Sequence, residues 1–225
     1  MKKIILIVLC AIFIISILKV CLAENKWDNL LTESAKVFEE MTKMPEDGIP
    51  GTLIKNSYAV AIFPSTVGGG FIIGGKYGQG VIIAKDKQAG GWSAPAVFNL
   101  AGASFGWQIG GQATDIILLI GNERGLDGLL QSSFKLGGDA SVAAGPVGRD
   151  AEAATDLQLK GGILAYSRSR GAFIGIKLEG SVLSFNKEAN TSLYGVDVTA
   201  SDILIKKSVK HTESAQRLIK DLGKY

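Results

Sequence analysis

The chain has 225 residues, 47% of them apolar, so it is long enough to bury one sizeable core. Without the N-terminal segment 1–23, which carries three lysines, the 24 basic residues become 21 and balance the 21 acidic ones. A side-chain charge near zero does not fit the basic surface that nucleic acid requires, so we expect no nucleic-acid partner.

Segment 1–23 has the three parts of a secretory signal peptide. Two lysines precede an uncharged run from Ile4 to Leu18, and the small-residue exit Cys21-Leu22-Ala23 follows. The run is shorter than the about 20 residues of a bilayer span, so we expect cleavage, with a retained anchor as the alternative. The predicted organisation is a signal peptide at 1–23 and one exported domain at 24–225. We expect this domain to be periplasmic or secreted, with association with the cell envelope as a further option. Both cysteines lie in the signal peptide, so this domain has no disulfide.

Two helices are predicted before the first strand. Residues 28–44 carry apolar side chains at spacings of three and four, which is typical of an amphipathic helix. These side chains are Leu31, Ala35, Phe38 and Met41. Pro50 is placed to open a second, short helix that runs through Leu53 and Ile54.

From residue 58 to about residue 186 the sequence predicts strands punctuated by glycine and proline. The first strand, 58–63, is closed by Pro64. The other predicted strands cover 70–77, 80–85, 94–99, 103–110, 114–120, 162–169, 172–185 and 192–199. A helix over 123–133 interrupts them, and 137–156 is a loop by composition.

The chain ends with segment 202–205 and then 212–223, whose apolar stripe predicts a second amphipathic helix. The 29 glycines fit strands that bend or pack closely together. The predicted fold class is therefore α+β: a single domain with a glycine-rich, mainly antiparallel, curved β core, barrel- or sandwich-like, flanked by N- and C-terminal amphipathic helices.

One glycine-rich stretch imitates a nucleotide-binding loop. Gly70 to Lys76 reads G-x-x-x-x-G-K, but Tyr77 stands where magnesium needs a Ser or Thr hydroxyl. A helix should follow, and the strand-like run Val81–Ala84 follows instead. We interpret the stretch as a strand, a glycine-rich turn and a second strand, and expect no nucleotide.

The groups that catalysis usually recruits are scarce. The exported domain has a single histidine, His211, and no cysteine, so we expect no enzyme, no cofactor and no metal site. Asp115 and Glu179 are the acids within apolar strand runs, and a buried charge is nearly always paired. We expect each to form a structural ion pair, with Arg149, Arg168 or Arg170 as candidate partners.

A series of short blocks follows in a fixed order along the chain. They read I-P at 49–50, A-V-A-I-F-P at 59–64, G-W-S-A-P at 91–95, G-A-S-F-G-W-Q-I-G at 102–110, A-G-P-V-G-R at 144–149, Y-S-R-S-R-G at 166–171 and L-E-G-S at 178–181. In order and spacing the chain resembles the SYLF domain family over about Gly48 to Ile205.

The resemblance implies a non-enzymatic domain that binds membrane lipid, and some eukaryotic members also bind actin. The sequence carries an export signal and no SH3 or FYVE module, so we expect anionic phospholipid as the ligand and actin as an unlikely partner. The family's lipid-contacting segment begins near the Ile-Pro block. Its candidates here are Ile49, Pro50, Leu53, Ile54 and Lys55.

The remaining family-motif residues are expected to be structural. They are Trp92, Ser93, Asp115, Gly145, Pro146, Arg149, Tyr166, Arg168, Arg170 and Glu179.

The C-terminal segment is the more basic end of the domain and adds lipid-binding candidates. These are Lys206, Lys207 and Lys210, since each cation near an anionic leaflet contributes about 1 kcal/mol. Two alternatives stay open: both terminal helices simply cover the β core, or the protein is a structural or protein-interaction module of the cell envelope that binds no lipid.

Overall fold

Strand β1 (Ala59–Ala84) forms the centre of the sheet and doubles back on itself. The computed structural model describes residues 26–44, 48–87, 90–106, 112–147, 159–169 and 171–225. The two ends of β1 lie side by side, because Lys85 N donates a 2.8 Å hydrogen bond to Tyr58 O. A Cβ built on Gly68 would lie 3.8 Å from Lys76 Cβ, so the chain reverses between these two residues.

The reversal lies earlier in the sequence than predicted. The expected turn between strands 70–77 and 80–85 is wrong, because Ile72 to Ile82 pairs without interruption with β2 (Ala96–Gly106). Pro64 does not close a strand either. The register shifts between Phe63 and Thr66, with Ser65 at φ 48°, and β1 continues beyond this irregularity.

The two arms of β1, 59–68 and 72–82, pair with different neighbours, and both pairings are antiparallel. The first arm pairs with β3 (Gln112–Ile120) and the second with β2. The remaining strands are β4 (Ser133–Lys135), β5 (Val142–Ala144), β6 (Ile163–Ser169), β7 (Ala172–Phe173) and β8 (Val182–Phe185). The sheet order is β4-β8-β2-β1-β3-β6-β5, and β7 also pairs with β6.

The sheet curls into a half-barrel because one short segment reaches both of its edges. Residues 133–144 contribute β4, which pairs with β8, and then β5, which pairs in parallel with β6. The turn between them is closed by the hydrogen bond from Gly137 N to Ala140 O, 2.8 Å. The predicted single α+β domain with a curved β core is thus confirmed.

Both faces of the sheet are buried around the C-terminal part of β3, which explains its continuous apolar run Ile116–Ile120. The inner face packs against α3 (Glu123–Leu129), α5 (Ala200–Leu204) and the segment that carries β4. The outer face is covered by α1 (26–42), α2 (Gly51–Asn56) and α6 (Gln216–Leu222). The apolar stripes of α1 and α6 are part of this outer core, so the predicted helices do cover the β core.

Two predicted strands are corrected by the structure. Residues 187–194 form helix α4 (Lys187–Tyr194), where 192–199 was expected to be a strand. Asn186 caps α4, and Gly195 ends it at φ 70°.

The predicted strand 172–185 is broken between β7 and β8, with Gly180 at φ 79°. Residues 174–180, which we call the strap, have no regular structure. Part of the predicted loop 137–156 is strand β5, and its residues 148–156 lie outside the described residues.

Candidate functional site

Lysine side chains gather where α2 and β1 end. Lys85 Nζ donates to Lys55 O at 2.8 Å, and Lys87 Nζ donates to Asn56 O at 2.9 Å. The last carbonyls of a helix lack partners within the helix and carry partial negative charge. Both lysines therefore cap α2 and bring their charges next to that of Lys55.

The basic segment after α5 lies against the same place. Lys207 forms an ion pair with Asp86, which stands between Lys85 and Lys87 in the sequence, and Lys206 pairs with Asp202 at 2.9 Å. We call the resulting group the lysine face. It consists of Lys55, Lys85, Lys87 and Lys207, which these contacts bring together, and of Lys206 and Lys210, which lie within three residues of Lys207 in the sequence, with Asp86 and Asp202 as the acids that pair with them.

The ammonium groups of two of these lysines lie over aromatic rings. Lys87 Nζ lies 4.6 Å from the ring centroid of Tyr58, and Lys85 Nζ lies 5.2 Å from that of Trp92. Trp92 is itself buried, and its Nε1 donates to Leu222 O at 3.1 Å. Trp92 is therefore fixed in the core, and its ring lies under the ammonium group of Lys85.

The lysine face is crowded with like charge. Burial, followed by the positive charges of Lys87 and Lys55, lowers the pKa of Lys85, and burial lowers the pKa of Lys87. A lowered lysine pKa means that the environment disfavours the charged form. A bound anion would relieve this repulsion, so the chemistry of the lysine face is compatible with an anionic ligand.

A cavity of about 300 Å³ opens beside the lysine face. It is lined by Asn56, Tyr58, Gly121, Asn122, Leu159 and Lys160. Lys160 adds a further cation at its rim, and the side-chain amide of Asn122 donates to Lys160 O at 3.0 Å. The cavity extends the basic surface beyond the ring of Tyr58.

The apolar lipid-binding candidates occupy the core. Ile49 is 3% exposed and Leu53 and Ile54 are fully buried, because α2 packs its apolar side against the outer face of the sheet. Pro50 is the N-cap residue of α2. Lys55 is exposed and Pro50 is half-buried, so lipid contact by Ile49, Leu53 and Ile54 stays a prediction that would require α2 to leave the core.

Asp115 is held by an ion pair, as predicted, and its partner is Arg168. The Arg168 guanidinium lies 2.8 Å from Asp115 Oδ2 and 2.6 Å from Glu40 Oε2, so it joins the sheet to α1. Asp115 Oδ1 also accepts from Ser65 N at 2.9 Å. The other two candidate partners, Arg149 and Arg170, lie outside the described residues.

Glu179 lies in an exposed turn rather than in a buried strand, and its carboxylate lies 3.5 Å from Lys177 Nζ. An ion pair of Glu179 with Arg149 or Arg170 stays a prediction, because both arginines lie outside the described residues. The break at the strap removes the apolar strand on which the prediction depended.

The other motif residues fix backbone geometry. Ser93 Oγ accepts from Ala84 N at 3.0 Å and donates to Ala94 O at 2.8 Å. Tyr166 Oη donates to Pro146 O at 3.2 Å, and the ring packs so closely on Gly145 that a Cβ there would lie 2.1 Å from Cζ. The first contacts hold the segment before β2 against the end of β1, and the second hold the end of β5 against β6.

The described part of the chain contains no group of three or more His, Cys, Asp or Glu side chains placed to hold a metal ion. None of its helices is both long enough and apolar enough to cross a membrane.

Comparison with known proteins decides the family. A family model described as Ysc84, Las17-binding protein actin regulator, matches residues 101–225. SH3 domain-containing YSC84-like protein 1 of Homo sapiens is 33% identical over 178 residues, which cover 76% of this chain and 52% of the relative. Protein YSC84 of Saccharomyces cerevisiae is 38% identical over 159 residues, which cover 69% of this chain and 34% of the relative. The chain belongs to the Ysc84 (SYLF) family.

The family corrects one expectation about partners. The prediction that actin is an unlikely partner is wrong as a statement about this family, because its model is described as an actin regulator and a yeast relative is named LAS seventeen-binding protein 3. The chain spans about half the length of the human relative and a third of the yeast one.

Sequence reasoning missed the two lysines at the centre of the site. Lys85 and Lys87 frame Asp86 directly after the apolar run Val81–Ala84. Charges that follow a buried strand emerge at the end of a sheet, and this was the available signal. Their meeting with Lys55 and Lys207 depends on long-range packing.

Proposed function

We propose that this Ysc84-family domain is a non-enzymatic module that binds anionic phospholipid surfaces through the lysine face. The observation that carries the proposal is the gathering of six lysines from three separate segments, with two acids among them. The domain outside the signal peptide is balanced in charge, so this concentration is a local feature.

The energetics of this surface favour adsorption over insertion. Each lysine near an anionic leaflet contributes about 1 kcal/mol, while the apolar sides of α1, α2 and α6 are occupied by the core. Binding of this kind is electrostatic and is weakened by salt. The pattern of residues 1–23 supports the further proposal that the domain is exported and acts in the periplasm or outside the cell.

A second candidate function is the binding of a protein with an acidic surface. It is favoured by the description of the family as Las17-binding and actin-regulating. The same lysines would serve, so vesicles that contain no protein separate the two functions.

Neutralising three exposed lysines of this surface tests the proposal. We expect the variant Lys55→Gln/Lys87→Gln/Lys210→Gln to lose about 3 kcal/mol of adsorption energy, which is about a hundredfold in partitioning. The measurement is co-flotation of residues 24–225, which contain the entire described fold, with vesicles of phosphatidylglycerol and phosphatidylcholine.

The matched control removes the same charge elsewhere, in Lys36→Gln/Lys135→Gln/Lys187→Gln. We expect it to float like the wild type, because these lysines lie outside the lysine face. Equal loss in both variants would mean that net charge alone governs binding, and it would remove the lysine face from the mechanism.

A further inference from the structure

The inner face of the half-barrel changes character from one end to the other. Near α3 it is apolar, whereas beyond Phe63 and Leu100 it carries buried hydroxyl groups. These belong to Thr66, Thr114, Ser167, Ser169 and Ser181. Such a layer is unusual, because hydroxyl groups lose their water when they are buried.

Two of these hydroxyl groups lack a partner. Thr66 and Ser181 are 3% and 1% exposed, and their oxygens make no hydrogen bond to any described residue. A buried hydroxyl group left in this way costs about 1–3 kcal/mol. Buried polar groups of native proteins are nearly always satisfied, so both oxygens point to a missing polar partner.

A lysine lies on the same face beside them. Lys76 pairs with Gly102 across β1 and β2, and Ser181 Oγ lies 2.5 Å from where a Cβ on Gly102 would be. Gly78, two residues after Lys76 and therefore on the same face, has Thr66 Oγ1 2.4 Å from its own Cβ position. The two hydroxyl groups thus fill the space above the glycines next to Lys76.

The charge of Lys76 is not balanced by an acid. Its half-buried ammonium donates to Lys177 O of the strap, and no described carboxylate forms an ion pair with it. Burial lowers its pKa, so the surroundings disfavour the cation. An ammonium group and two hydroxyl groups are together the donor set that an anionic oxygen group accepts.

We propose that Lys76, Thr66 and Ser181 form a binding site for one phosphate group on the inner face of the sheet, beneath the strap. This site is separate from the lysine face and does not depend on the function proposed for it. A free phosphate ion and the glycerol phosphate of a lipid present the same oxygens to such a site. The strap also borders a cavity of about 210 Å³, lined in part by Ser167, Ile174 and Lys177, and the carbonyl oxygen of Lys177 accepts from Lys76.

Calorimetric titration of residues 24–225 with inorganic phosphate, at constant ionic strength, tests the site. We expect saturable binding of one phosphate per chain, weakened at least about tenfold in Lys76→Met. Thr66→Val and Ser181→Ala should each weaken binding several-fold, and Lys135→Met should leave it unchanged. Because Lys76→Met removes an unbalanced charge and keeps the side-chain stem, the variant should fold with an unchanged or higher Tm.

Three results would overturn the site: no saturable binding by the wild type, wild-type affinity in Lys76→Met, or loss of phosphate binding in Lys55→Gln/Lys87→Gln/Lys210→Gln. The last result would assign the anion to the lysine face. Lys76→Met should still float with anionic vesicles, so failure here and failure of the proposed function are distinguishable. Tighter binding of glycerol 3-phosphate than of inorganic phosphate would support the site with a lipid head group as the source, and equal binding would support it with the free ion.

Discussion

Gly80→Ala is expected to lower the free energy of unfolding by about 3 kcal/mol, because the two arms of β1 leave no room for a methyl group. A Cβ at this position would lie 2.2 Å from Ile62 O and 2.4 Å from the ring of Phe63. The carbonyl oxygen belongs to the opposite arm of the doubled strand. It moves only if the arms separate, which disturbs the pairing of β1 with its neighbours.

The measurement is urea unfolding followed by tryptophan fluorescence, with Gly75→Ala as the matched control. Gly75 lies in the same arm, and its nearest neighbour, Gly102 O, would be 4.0 Å from a Cβ. The control should change stability by no more than about 0.5 kcal/mol. Equal effects of the two substitutions would contradict the close contact between the arms of β1.

Arg168→Met is expected to lower the free energy of unfolding by about 2–3 kcal/mol, which is at or below the lower end of the range for a broken buried ion pair. The side chains of Arg168 and Asp115 are 13% and 20% exposed, so water only partly screens the carboxylate that remains. The same substitution releases Glu40 and removes the link between α1 and the sheet. Methionine keeps much of the side-chain volume, so the loss reports on charge and hydrogen bonds.

Lys187→Met is the matched control for this second prediction. Lys187 pairs with Asp197, and both side chains are 69% exposed, so the loss should stay below about 1 kcal/mol. Thermal and urea unfolding of both variants give the comparison. A cost for Arg168→Met as small as that of the control would show that the Arg168 pair does not fasten α1 to the sheet.

The parts of the fold that the sequence predicted are those governed by local patterns. The stripe through Leu31 and Phe38 predicted α1, because spacings of three and four place apolar side chains on one helical face. The dense glycines predicted close contact between strands, which Gly80 shows against Ile62. The α+β class and the curved sheet follow from these signals.

The errors occur where tertiary packing overrides the local pattern. Residues 192–194 have strand-like neighbours in the sequence, yet Asn186 and Gly195 cap a helix there. The run 172–185 alternates well, but the chain leaves the sheet to form the strap. The lysine face was found only in part, since contacts such as that of Lys207 with Asp86 join residues far apart in the chain.

The central claim is that the domain adsorbs to anionic membranes, and flotation of wild-type residues 24–225 tests it most directly. Neutral and anionic vesicles should be compared at low and at high salt. We predict flotation with anionic vesicles at low salt, loss of flotation at high salt, and none with neutral vesicles, because the contact is electrostatic. Absence of flotation with anionic vesicles at low salt would contradict the claim and direct the search to an acidic protein partner of the lysine face.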